Sequence, residues 1–167
     1  YKYLADTFGN LLNRSLKMAN NNLGGVIQET SFEDELAVEL REAVAALPGQ
    51  TKEALQTYQI HKALDYAWAV LVLANTYIEK TQPFKLKAPE QQSQRAAILR
   101  NLVETILHVS VIVSPVIPQA AEKIQAQLGW TAPAGFTLQD LHWGMLAPGH
   151  RLGEGVPLFP RIEAKPE

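Results

Sequence analysis

Cysteine is absent from this 167-residue chain. That removes disulfide frameworks, thiolate metal sites and thiol catalysis, and leaves the redox compartment unconstrained. Net positive charge is also lacking: 15 lysines and arginines stand against 17 acidic residues, a formal net charge of -2. Non-specific binding to a long duplex needs a basic face that neutralises several phosphates, so DNA is not an expected partner. Recognition of a few exposed bases stays open. No apolar run approaches the roughly 20 residues of a membrane span. The longest candidate, residues 107–117, is interrupted by His108, Ser110, Ser114 and Pro115. The expectation is a soluble protein with no membrane partner. The chain starts directly in a helical pattern, without the pattern of a signal or transit peptide, and reads as a piece of a longer protein.

Catalytic chemistry is missing too. The four histidines, His61, His108, His142 and His150, are scattered, and no two stand at metal-ligand spacing. His61 and Asp65 are four apart on a helical stretch, which is the spacing of an ordinary surface pair. Gly24 and Gly25 lie in a connection between helices, not in a phosphate-cradling loop between a strand and a helix. The acidic residues from Glu33 to Glu42 are spaced around a helix, as on a solvated face. We therefore expect no catalytic site, no metal and no cofactor within the chain.

What is present is helical pattern. Hydrophobic residues make up 47% of the chain, enough for a sizeable core in one domain. The stretch Leu4 to Met18 places Leu4, Phe8, Leu11, Leu12, Ser15 and Met18 on one side at about 100° per residue. Tyr3, Thr7, Asn10, Arg14 and Lys17 fall in a stripe on the other. An aromatic ring, a hydroxyl, an amide and a guanidinium can stack on and hydrogen-bond to bases, although on spacing alone such a stripe is more commonly a solvated face.

Further along, Thr30 and Glu33 fit a capping box for a helix that Pro48 and Gly49 should break, with a short helical turn from Thr51 to Thr57. A long helix is expected from Gln59 to Gln82, stopped by Pro83 with Phe84 just beyond. A fourth follows, capped by Ser93, whose half from Ile106 to Val113 is apolar nearly all round and reads as the most buried element. A shorter helix is expected from Gln119 to Leu128, then a Gly- and Pro-rich remainder with extended pieces at His150 to Leu152 and Val156 to Arg161. Tyr66 and Trp68 read as core, and Asn13 and Asn75 as structural groups satisfying backbone between helices. The predicted fold is all-α: an antiparallel bundle of about five helices over residues 1–145, with a C-terminal extended arm over 146–167. Leu158, Phe159 and Ile162 should pack that arm back on the bundle or on a neighbouring domain.

Three stretches share one resemblance. Leu4 to Leu16 reads LADTFGNLLNRSL, with an Asn and an Arg four apart; Leu73 to Leu86 reads LANTYIEKTQPFKL, with Ala-Asn-x-Tyr and then Pro-aromatic; Leu146 to Glu163 reads LAPGHRLGEGVPLFPRIE. In order and spacing they resemble the methionyl-tRNA synthetases, class I enzymes whose C-terminal helical domain binds the tRNA anticodon. The resemblance covers nearly the whole chain, and the closing segment is its most specific part. It implies that Asn10 and Arg14 contact the anticodon and that Phe84 stands where the family usually has a tryptophan for stacking. Phenylalanine keeps a stacking face but loses the indole N–H and some area. The implied partners are methionine tRNA with its CAU anticodon and a parent catalytic domain, in a cytoplasmic ATP-dependent ligase. ATP, with zinc as a further candidate, belongs to that catalytic domain, since the family's two ATP-handling signatures are absent from this chain. Two alternatives stand beside this reading: the equivalent domain of another class I synthetase, for cysteine, leucine or valine, and a helical protein-interaction module without RNA binding.

Overall fold

The computed structural model describes residues 2–158; the side chains of Tyr3 and Leu4 and the arm residues from Phe159 onward, Ile162 included, lie outside the described residues. The chain opens in a π-helical segment, Lys2–Gly9, that runs directly into α1 (Asn10–Leu23). A π-helix holds more residues per turn than an α-helix, so the stripe computed at α-helical spacing holds only for Asn10, Arg14 and Lys17. The opposite face is core: Phe8, Leu11, Leu12 and Leu16 are fully buried. Four more α-helices follow among the described residues: α2 (Glu35–Gln56), α3 (Ile60–Thr81), α4 (Gln92–Val113) and α5 (Pro118–Gln127). The first helix and α2 each pack on α3 and α4, and α5 folds back on α4. The expected all-α bundle is observed.

Several boundaries differ from expectation. The N-cap of α2 is Asp34, whose carboxylate accepts from Ala37 N at 2.7 Å. Thr30 instead accepts from Phe32 N and meets the Ser93 hydroxyl at 3.0 Å, so neither Thr30 nor Ser93 caps a helix. Pro48 does not break α2, which runs on to Gln56. A proline inside a helix costs about 3 kcal/mol, but continuing the helix keeps Thr51 and Ala54 on the same buried face as Leu47, and that packing outweighs it. Trp68 and Tyr66 are half-buried, the Trp68 ring meeting Phe8 edge-on at 6.5 Å. Asn75 donates to Leu71 O of its own helix, not between helices.

From Leu102 to Ser110 every side chain of α4 is buried. The apolar helical stretch is longer than residues 107–117: Pro89–Val113 reaches mean hydropathy 1.6 over an 18-residue window, long and apolar enough to cross a membrane, yet 83% of that window is buried within the bundle. Three of its buried polar side chains bond within the helix, Thr105, His108 Nδ1 and Ser110 to the carbonyls of Asn101, Glu104 and Leu107. The Glu104 carboxylate, 1% exposed, accepts from the backbone N–H groups of Gly144, Met145 and Leu146 at 2.7–2.9 Å.

Beyond Leu146 the chain returns across the bundle. Val26 and Arg151 form an isolated antiparallel bridge, Gly153 N donates to Gln127 O, and Asn20 Nδ2 donates to Gly153 O. Gly129 has φ +67°, and a Cβ there would collide with the Arg151 carbonyl, so only glycine allows this approach.

Burial holds His108 below the ordinary imidazole value, against the opposing pull of Glu104, whose carboxylate lies 3.8 Å away. A histidine kept neutral in the fold but free to protonate when unfolded favours unfolding as protons are added. Stability should therefore fall as pH drops below about 6.5, and His108→Gln should flatten that fall in urea melts at pH 7.5 and pH 5.5; an unchanged profile would remove His108 as its cause. Glu104→Ala leaves three backbone donors, that of Leu146 buried and those of Gly144 and Met145 partly so, without their acceptor and should cost about 3 kcal/mol or more. A loss under about 1 kcal/mol in urea unfolding would show that the 144–146 turn is held by other contacts.

Candidate nucleic-acid interface

The site is built where α1 passes the end of α3. On α1 the exposed edge carries Asn10, Arg14 and Lys17 at successive turns. The Asn10 side chain makes no hydrogen bond among the described residues. Arg14 Nη1 donates to Glu79 Oε1 of α3 at 2.8 Å, with side-chain exposures of 32% and 60%. A guanidinium has five donor positions, so this bond orients Arg14 and leaves most of its donors free.

The last turn of α3 is anchored from below. Tyr77 is buried, and its hydroxyl accepts from Asn101 Nδ2 of α4 at 3.1 Å. Burial pushes the phenol up to about 12, the Asn101 bond only partly offsetting it. The helix then ends on Gln82 in the left-handed region (φ 45°), an uncommon conformation for a residue with a side chain. Pro83 is buried and opens the 3-10 turn Pro83–Lys85, which turns the Phe84 ring outward at 41% exposure. Arg95 of α4 clamps this turn to α1, donating to Leu86 O at 2.9 Å and to Asn22 Oδ1 at 3.3 Å.

The result is a shallow concavity of about 350 Å³ lined by Arg14, Lys17, Met18 and Phe84. Two of the three residues singled out from the sequence, Arg14 and Phe84, thus share one hollow although 70 positions apart, and Asn10 lies one turn up α1 from Arg14. Sequence reading missed Glu79 as the partner of Arg14; its only signal is a carboxylate one turn before the Pro-aromatic pair. Asn13 lies away from the hollow, beside Gly155 of the returning segment. Among the described residues no three His, Asp or Glu side chains converge as metal ligands.

A sequence model of the anticodon binding domain of methionyl tRNA ligase matches residues 24–166. The chain belongs to this family. The match begins after α1, so Phe84 falls inside it while Asn10 and Arg14 are covered by whole-chain relatives. The methionine–tRNA ligase of Clostridium perfringens is 33% identical over 97% of this chain, and that of Deinococcus radiodurans is likewise 33% identical over 97%. The apo form of the Mycobacterium tuberculosis methionyl-tRNA synthetase superposes with a TM-score of 0.87 at 28% identity over 97% of this chain. A structure of that synthetase with methionyl-adenylate gives 0.86 over 95%. The chain spans about a quarter of the length of these ligases and about a third of the solved chains.

The Arg14–Glu79 pair is partly exposed, and such pairs contribute about 0–1 kcal/mol. Arg14→Ala and Glu79→Ala should each therefore change unfolding free energy by about 1 kcal/mol or less. A larger loss in a denaturant melt would make the pair a structural bolt.

Proposed function

We propose that this chain docks the anticodon arm of methionine tRNA, with Asn10 and Arg14 reading base edges and Phe84 stacking on a base. The catalytic part of the parent ligase activates methionine with ATP and charges the tRNA end. The observation that carries this reading is the meeting of Arg14 and Phe84 in one hollow, an edge-reading donor set beside an exposed ring. A guanidinium and an aromatic face are the two groups by which proteins recognise splayed-out bases of single-stranded RNA. ATP is the natural source of an adenylate such as the one bound in the Mycobacterium tuberculosis synthetase. The parent works in the cytoplasm, where its tRNA is charged and used.

Glu79 gives the hollow a preference. With Arg14 donating beside it, a carboxylate acceptor matches cytosine, whose N4 amino group donates while N3 and O2 accept. Uracil would set its O4 against the carboxylate, and a like-charged edge of that kind is a penalty on the wrong partner.

Titration of the chain with anticodon stem-loops by fluorescence anisotropy tests the assignment. A CAU loop should bind more tightly than a scrambled one, and equal binding would leave phosphate attraction as the only force. Arg14→Ala should lose about 1–3 kcal/mol on the CAU loop and much less on loops altered at one anticodon position. Phe84→Ala should weaken all loops alike, because stacking is tolerant of base identity. Phe84→Trp, with a larger ring at a position open to solvent, should strengthen binding without loss of stability. Unchanged loop binding by a folded Arg14→Ala would remove that residue from base reading.

A further inference from the structure

The net charge of -2 conceals a segregation along the chain. Between Glu29 and Glu53 seven acidic residues stand against Arg41 and Lys52, whereas between Lys80 and Arg100 five basic residues stand against Glu90 alone. Three of those five, Lys80, Lys85 and Lys87, lie within four residues of Phe84, and the structure brings a lysine of α1 beside the same ring. Lys17 lines the same hollow as the ring. Lys85 follows Phe84 in the 3-10 turn, Lys80 lies in the last turn of α3, and Lys87 stands two residues past Lys85. All four are exposed, and none makes an ion pair among the described residues. Of the nearby acids, Glu79 is held by Arg14, while Glu90 and Asp6 are exposed on the next 3-10 turn and on the opening helical segment.

We infer that Lys17, Lys80, Lys85 and Lys87 form a collar that takes the phosphodiester backbone of a single-stranded RNA segment, one of whose bases stacks on Phe84. The inference deepens the base-reading proposal and rests on it for its partner. Cations surrounding an exposed ring are the combination by which proteins hold single strands, the ring taking a base and the cations the backbone. The two kinds of cation divide the work. Arg14 is fixed in direction by Glu79 and suits a base edge, whereas a lysine is a compact charge on a flexible stem and follows a phosphate wherever it lies. Four lysines neutralise only a few phosphates, which is compatible with an overall acidic chain.

The test is a salt series. Each phosphate neutralised on a single strand contributes about -0.7 to the slope of log affinity against log salt. The full chain carrying Lys17→Gln, Lys80→Gln, Lys85→Gln and Lys87→Gln together should bind a CAU stem-loop with a slope shallower by about two to three. The ratio of its affinities for CAU and scrambled loops should stay as in the parent chain, and a thermal melt should show the same transition, since all four side chains are exposed. A second variant, Lys52→Gln, Lys62→Gln and Lys123→Gln, removes exposed lysines elsewhere and should leave the slope unchanged. An unchanged slope in the first variant, or an equal flattening in the second, overturns the collar. Equal affinity of the unaltered chain for the two loops would sink base reading alone, with the slopes still reporting on the collar. No binding of the unaltered chain at the lowest salt would sink both.

Discussion

A carboxylate buried in the middle of a helix governs how this chain closes on itself. α4 is surrounded on all sides from Leu102 to Ser110, and Glu104 sits within that stretch at 1% exposure. A charge in such a place is tolerated only when its oxygens are filled by hydrogen bonds. α4's own N–H groups are spent within the helix, so the donors must come from irregular backbone, and the three consecutive N–H groups of residues 144–146 supply them. The Gly- and Pro-rich segment is thereby tied to the centre of the bundle. Once Leu146 is fixed, the following residues lie within reach of Ile27, Leu128 and Gln127: Gly149 N, His150 Nε2 and Gly153 N donate to the carbonyls of Ile27, Leu128 and Gln127, and Ile27 N donates back to His150 O. A stretch with little secondary structure of its own becomes the lid of the core.

The candidate interface follows from a second constraint, the way α3 ends. Tyr77 and Ile78 bury the last turn against its neighbours, so the helix cannot fray there. Pro83 cannot extend it, and Gln82 takes a left-handed conformation that redirects the chain. Such a conformation costs of order 1–3 kcal/mol and persists only where surrounding contacts over-determine it. Here the contacts are the buried Pro83 ring and the Arg95 clamp on Leu86. Phe84 is thus held outward in a defined position beside α1. For the proposed base-reading role, a ring and a guanidinium already in place have little freedom left to lose.

Local signals in the sequence were sufficient for the parts governed by local physics. The polar edge of α1, the stop at Pro83 with Phe84 beyond it, and the deep burial of α4 all follow from periodicity and proline chemistry. The features that escaped depend on partners remote in sequence. Glu79 is 65 residues from Arg14, and Glu104 finds its donors 40 or more residues away. Pro48 looked like a breaker because its local cost is visible, while the burial of Thr51 and Ala54 beyond it is not. Thr30 looked like a cap because its hydroxyl could serve the helix, and lost that role to Asp34 once Ser93 came alongside. The π-helical opening shifted the register of Thr7 relative to Asn10, which no count at α-helical spacing anticipates.

The exposure of the Arg14–Glu79 pair decides what it can do. Had the pair been buried, separating it would leave an uncompensated charge at about 3–5 kcal/mol, and no base edge could compete for the guanidinium. Fully exposed, the two side chains would be screened and would hold no common geometry. At 32% and 60% exposure the bond is weak enough to be displaced and strong enough to bias the direction of Arg14 beforehand, which is what the proposed base-reading role requires of it.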